Sequence, residues 1–412
     1  MLGNKWFAIS SNSYFFISAI GFTALWFSPF VVSLATALLG LLFLLNISSF
    51  QFKHPKNRRL IICLLSLAVI VIFYAALNGF VGMSGAKVGL ILGFVILLLS
   101  GLLFMKTSKV KLVQFTLVLC SSVVIINLIA LRNYFLNKAV IDALLLQSKS
   151  IPIPNMHHIH FGIINAICVI LLIGVFLESS IKSLINKRIS VIFGIFIFIS
   201  SHVLSSRTGL LSLYVATLLG TIYYASYSKK YVKVGLILMG LVIFSIGSSS
   251  WSSSLRNKIA NSLEDINSWG GSEGINHKSM AMRIEAYKAS ATVLWSNPLG
   301  VGANNLDFQM EKGYTAISSP LWQENRIGPH NQFLEFGVKY GWIGVGIILF
   351  FFVSLFSVGN RGSSIYFTFV VLLIVSLQFE SLLERQTSLY FLALFVPLFI
   401  HLFTTPGDER VI

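Results

Sequence analysis

Of the 412 residues, 56% are hydrophobic and only 11% are charged, with a mean hydropathy of +0.83. A soluble domain is nearer a quarter charged, so this composition excludes a water-soluble globular chain. The formal charge of +16 raises the question of nucleic acid, but its cations sit in short loops between apolar runs, the mark of membrane topology rather than of a nucleic-acid face.

In chain order, apolar segments suited to crossing about 30 Å of hydrocarbon are expected at about 14–28, 30–47, 60–77, 88–105, 112–130, 161–177, 189–205, 208–224, 234–250, 333–355, 364–379 and 387–403. The first lacks a small-residue cleavage site and is followed by span after span, so it reads as a retained helix and not as a signal peptide. Lys53, Lys56, Arg58 and Arg59 form one basic loop. Lys106, Lys109 and Lys111, then Lys182, Lys187 and Arg188, then Lys229, Lys230 and Lys233 form the next ones. The positive-inside rule puts all of these in the cytoplasm, together with both termini. Cys63, Cys120 and Cys168 lie within apolar spans without metal-ligand spacing and carry no redox message. The expected fold is all-α and integral to the membrane: one polytopic domain over residues 1–412 with about 12 transmembrane helices.

The same topology places two longer segments outside. One covers about 131–160, with Ile151-Pro-Ile-Pro and His157, His158 and His160. The other, about 251–332, lies between spans 9 and 10 and alone has ordinary soluble composition. It begins at Trp251-Ser-Ser-Ser and contains a turn-like run at Gly270-Gly-Ser-Glu-Gly. A helix is expected over about Met280–Trp295, then Asn297-Pro-Leu-Gly-Val-Gly302 and an irregular stretch to Pro329. Loops of such length in a compact protein usually carry function.

Arg207, in Ser205-Ser-Arg-Thr-Gly209, stands at the junction of two apolar spans. An arginine at this depth either snorkels to the interface or faces a polar cavity. In the second case its planar guanidinium suits a phosphate, and Ser205, Ser206 and Thr208 add hydroxyls near a helix start. Arg283 opens the loop helix, where it is either another anion ligand or part of a solvated face on which Glu285 and Lys288 pair locally. His330, in Gly328-Pro-His-Asn-Gln-Phe-Leu334, precedes a long span. It is either a base active near neutral pH or, with Asn331, a helix-capping pair.

Three further groups are open to two readings. His157, His158 and His160 suggest metal, but no nearby carboxylate or cysteine completes a ligand set, and interfacial histidines fit as well. Glu380, Glu384 and Arg385 read as a structural ion pair at the outer rim, with a role in orienting an acceptor sugar as the second reading. Trp251, Trp269, Trp295 and Trp322 suit interface belts, loop packing or stacking on sugar. No Walker, zincin or Gly-x-Ser-x-Gly motif is present, and Gly300-Val-Gly302 reads as a turn.

Taken in order, Ser206-Arg207-Thr-Gly-Leu, Arg283, Asn297-Pro-Leu-Gly-Val-Gly and Pro329-His-Asn-Gln-Phe-Leu…Tyr340-Gly-Trp-Ile-Gly344 resemble the O-antigen ligase and polymerase superfamily over about residues 190–350. The resemblance implies a GT-C-like membrane glycosyltransferase in the bacterial inner membrane, its site facing the periplasm. It implies transfer of a glycan from undecaprenyl diphosphate to an acceptor hydroxyl, on lipid A-core for a ligase or on a growing glycan for a polymerase. By match, Arg207 and Arg283 would hold the donor diphosphate, supported by Ser206, Thr208 and Asn331. His330 would position or deprotonate the acceptor. Inversion without metal or cofactor is the family expectation. A protein O-glycosyltransferase is a further possibility within the superfamily. The rival from another class, a polyprenyl-glycan transporter, would carry polar or broken helices at the membrane midplane; here the polar residues gather at the outer face.

Overall fold

The computed structural model describes residues 2–50, 55–77, 82–146, 150–178, 183–267, 274–276, 278–359 and 363–404. Lys53, Lys182, Trp269 and most of the Gly270 run lie outside them. Among the described residues the chain is helical, with no strand. The helices are α1 (Leu2–Ala24), α2 (Pro29–Leu45), α3 (Pro55–Leu77), α4 (Met83–Phe104), α5 (Lys109–Leu136), α6 (Lys138–Leu146), α7 (His158–Leu177) and α8 (Leu184–Leu204). They continue with α9 (Arg207–Ser228), α10 (Tyr231–Trp251), α11 (Ser253–Asn267), α12 (Ser279–Ser296), α13 (Leu306–Ala316), α14 (Gln332–Val358), α15 (Ser364–Phe379) and α16 (Gln386–Phe403).

Local signals set several of the starts. Ser28 caps α2 ahead of Pro29, and Ser108 and Ser183 cap α5 and α8 through hydroxyls that accept the next turn's amides. Each of the twelve expected segments overlaps one helix. By length and apolar composition eight described helices suffice to cross a membrane: α3, α4, α5, α7, α8, α9, α14 and α16. α2 and α15 are apolar but shorter. The segment expected over 234–250 lies on α10, which meets α11 at a bend of 96°, so the pair forms a broken span at most.

α7 is apolar on every side and almost wholly buried, as befits a helix surrounded by others. α8 and α9 pack along it, α15 lies against both α9 and α7, and α16 packs on α4. Between α7 and α9 the contact is backbone on backbone, because a Cβ on Gly209 would run into Gly162. Small residues at helix crossings replace the hydrophobic drive that lipid does not supply.

The two loop segments hold more structure than expected. α5 continues to Leu136 and α6 follows it, and the 251–332 segment contains α11 and α13 besides the expected helix, observed as Ser279–Ser296. The stretch expected to be irregular up to Pro329 is thus partly helical. Leu306, Met310 and Tyr314 recur at four-residue spacing on one face of α13, and Met310 and Tyr314 are buried with Ala286, Ala289 and Val293 of α12 in a satellite core. In α11, Leu255, Ile259 and Leu263 repeat in the same way.

Candidate active site

The ends of α7, α8, α9, α14 and α15 meet at the face of the bundle covered by α11 and α12. The corner between α8 and α9 turns at Ser205, whose φ of +45° is left-handed, and Ser205 shares a hydroxyl contact with Ser254 of α11. Ser206 Oγ donates to the carbonyl of His158 at 3.1 Å, tying the start of α9 to the start of α7. Arg207 is thereby held as the first residue of α9, with Thr208 buried behind it. Its Nη1 lies 3.8 Å from Oδ2 of Asp265 on α11, and its side chain keeps 27% exposure. Arg207 is therefore a partly buried cation with a carboxylate behind it and a cavity before it.

Arg283 does not sit on a solvated face. Its side chain is 13% exposed, Nη1 donates to the carbonyl of Phe379 at 2.8 Å, and Nη2 stands 3.9 Å from Glu380 Oε2. Glu285 and Lys288 do pair locally, at 2.8 Å. His330 lies at a φ of +45°, directing the chain out of Gly328-Pro329 and into α14. Asn331 alone caps that helix, its Oδ1 accepting from the amides of Phe333 and Leu334. The Asn331 amide donates in turn to Gln378 O and Oε1 at 3.1 and 3.0 Å. Tyr287 Oη, from α12, donates to the same Gln378 carbonyl at 2.8 Å. These bonds tie the end of α15 to both α12 and α14.

Glu380, just beyond α15, is the hub of the arrangement and is 3% exposed. Its Oε2 accepts from His330 Nδ1 at 3.4 Å, and its Oε1 lies 3.8 Å from His160 Nε2. Burial works against its ionisation, but the hydrogen bond and charge of His330, with His160 and Arg283, outweigh that and bring the carboxyl down to about 2. An ionised carboxylate can only accept, so Nδ1 carries a proton toward it and Nε2 is the nitrogen left to exchange one. Burial, opposed by Glu380, lowers the basicity of His157 nearby.

Glu380 and Glu384 were expected to join Arg385 in one rim cluster. They pair instead with separate partners, and no ion pair to Arg385 occurs among the described residues. Glu384 meets Lys87 of α4 and Lys339 of α14, the latter at 2.7 Å, and Lys339 also meets Glu335 one turn earlier at 2.5 Å. Burial opposes ionisation of Glu384, yet Lys339 and Lys87 hold its carboxyl below the usual range. The Asn297-Pro-Leu-Gly-Val-Gly302 segment closes the assembly from the loop side. Val301 and Gly302 donate their amides to Val338 and Lys339, and Trp342 N donates to Pro298 O at 3.0 Å. α14 breaks there at Gly341, φ +65°, where a Cβ would strike the Pro298 carbonyl. The turn expected at Gly300 is thus a docking strap on α14.

Arg207, Thr208, Arg283 and His330 all line one cavity of about 500 Å³, together with His157 and Lys258. Ser206 and Asn331 stand behind it, supporting Arg207 and His330. Reading the sequence missed Lys258 and Asp265 and paired Glu380 with its neighbour Arg385 in place of Arg283 and His330. The first two are seven residues apart, two turns along one face of α11, and that spacing was the available signal. The His157 ring meets that of His158 at a tilt, with 4.4 Å between centroids, and that of His160 edge-on at 5.9 Å. Among the described residues no group of three or more His, Cys, Asp or Glu is placed to hold a metal ion.

No curated protein matches the chain. Residues 189–349 match the family model described as O-Antigen ligase. That stretch, about two fifths of the chain, runs from α8 into α14 and carries Arg207, Arg283 and His330; over it the protein, which has at least eight membrane-competent helices among its described residues, is similar to the O-antigen ligase family.

Proposed function

We propose that the protein is an O-antigen ligase-type glycosyltransferase that moves a glycan from undecaprenyl diphosphate to a hydroxyl of lipid A-core at the periplasmic face of the inner membrane. The observation that carries this reading is the convergence of Arg207, Arg283 and His330, from three separate segments, on one cavity within the matched stretch. In the reaction the acceptor oxygen attacks the anomeric carbon while the bond from that carbon to the diphosphate oxygen breaks. The bonding pair leaves with the diphosphate, whose growing charge the two guanidinium groups stabilise. The hydroxyl proton passes to His330 Nε2, and Glu380, at Nδ1, holds the imidazole in the tautomer that can take it. The leaving group is already activated, so nucleotide sugar and ATP are unnecessary. The fold would be of the GT-C-like membrane type, and the anomeric centre inverts if the displacement is direct.

Deletion of the gene followed by gel analysis of lipopolysaccharide tests the reading. A ligase leaves lipid A-core without polymer while carrier-linked polymer accumulates. Core bearing a single repeat unit assigns the chain to the polymerases of the same superfamily, and carrier-linked glycan stranded at the inner leaflet assigns it to transport. For the mechanism, His330→Ala should abolish transfer while the protein inserts and binds donor normally; wild-type turnover by that variant removes the histidine from the chemistry.

A further inference from the structure

The cavity that holds Arg207 and Arg283 has a third cation on its wall, supplied by the amphipathic helix α11. This helix turns its two faces to different surroundings. Ile259 and Leu263 point away from the protein with 45% and 58% exposure, while Lys258 and Asp265 are buried at 6% and 3%. α6 fixes that orientation. Asn261 Nδ2 donates to Leu145 O at 3.0 Å, and Ser253 Oγ donates to Asp142 Oδ2 at 3.1 Å. Lys258 Nζ reaches Ser150 Oγ at 3.4 Å, which holds the ammonium at the cavity wall, and it lies within electrostatic reach of Arg207 and Asp265.

The residues that line this cavity include Arg207, Lys258 and Arg283, and no carboxylate among the described residues. Asp265 and Glu380 stand behind the arginines and not at the surface a ligand would touch. Asp265 and Glu380 offset part of this charge from behind, and the cationic side chains still present their donors to the cavity. Three cationic donor groups from α9, α11 and α12 offer more points of contact than one phosphate group fills, and suit two linked phosphates. Two planar guanidinium groups can grip phosphate oxygens in pairs, and a compact ammonium adds a third point of charge.

We propose that Lys258 is a third ligand of the donor diphosphate, and that with Arg207 and Arg283 it makes the site select a polyprenyl diphosphate over a polyprenyl monophosphate. This rests on the donor reading given above. The discrimination has a use in the reaction: a site with three cationic donors holds the diphosphate as it leaves.

The full chain is purified in lipid nanodiscs, and its affinity is measured for undecaprenyl diphosphate and undecaprenyl monophosphate. One charge-assisted hydrogen bond corresponds to roughly a ten- to hundredfold change in affinity. Lys258→Gln should therefore weaken diphosphate binding by about that factor, change monophosphate binding by less than about threefold, and be largely rescued by Lys258→Arg. Lys258→Met, which keeps the stem's volume without an amide, gives a second neutral variant if the glutamine protein is poorly folded. Equal diphosphate affinity in the neutral variants and the wild type overturns the role of Lys258 while leaving the donor reading intact. So does an equal loss of both lipids, which marks a structural residue. A wild-type protein that binds neither lipid refutes the donor reading itself.

Discussion

Replacing Glu380 by glutamine removes one negative charge from the point where His330, His160 and Arg283 meet, with little change in shape. The lowering of the Glu380 carboxyl from 4.5 to about 2 measures how strongly these partners favour the ionised form. At about 1.4 kcal/mol per unit that is on the order of 3 kcal/mol. Screening takes little from it, because the carboxylate side chain is only 4% exposed. The sign follows from linkage: the folded value is depressed, so the stabilisation is complete above about 4.5 and disappears as pH falls through about 2. At neutral pH, Glu380→Gln should therefore lower the thermal midpoint in detergent, and the gap to wild type should close as pH falls from about 4.5 towards 2. The same change leaves the His330 imidazolium without its counter-charge in the transition state. Turnover should fall roughly ten- to a hundredfold, with the Michaelis constant for the donor little altered. The assay is transfer from purified carrier-linked glycan to acceptor lipid, read as a mobility shift on gels at saturating donor. Turnover within twofold of wild type, in protein of equal thermal midpoint, would refute both the hub role of Glu380 and the tautomer assigned to His330.

Three other outcomes follow from the geometry. Arg207→Ala should weaken donor binding by about tenfold or more, and unchanged affinity in a direct binding assay would count against the guanidinium clamp. Gly341→Ala places a methyl against the Pro298 carbonyl at a left-handed φ. It should cost about 2 kcal/mol or more, seen as a lower thermal midpoint and as faster proteolysis of the 297–302 strap. Lys339→Met leaves Glu335 without its buried partner and should cost about 3–5 kcal/mol, reducing the monodisperse yield in fluorescence-detected size exclusion. Adding Glu335→Gln to that variant should restore much of the yield, and a double variant no better than the single would argue against the ion pair as the cause.

The helices were legible because each apolar run that spans hydrocarbon must satisfy its own backbone within the helix. Arg207, Arg283 and His330 stood out because a cation or imidazole beside an apolar span demands a reason, and the structure brings all three to one cavity. Glu380 carried no such mark of its role. Its partners are 50, 97 and 220 positions away in the chain, and a neighbouring arginine offered a nearer but unused partner. α11 and α13 escaped notice because their apolar faces are narrow and set among polar and charged residues. The strap at Gly300 showed its glycines but not its docking site, since the break at Gly341 appears only when the two meet.

The position of Glu380 and Glu384 near the end of the chain has a consequence for synthesis. Arg283, His330 and Lys87 all leave the ribosome before their carboxylate partners, which follow only after α15, and Lys339 has only Glu335 until then. Until then a nascent chain carries these cations into the membrane or its surface without their final counterions. A product cut short before Glu380 is thus left with less compensated charge in several helices at once. The loop after α15 therefore closes the charge balance of α4, α12 and α14 together.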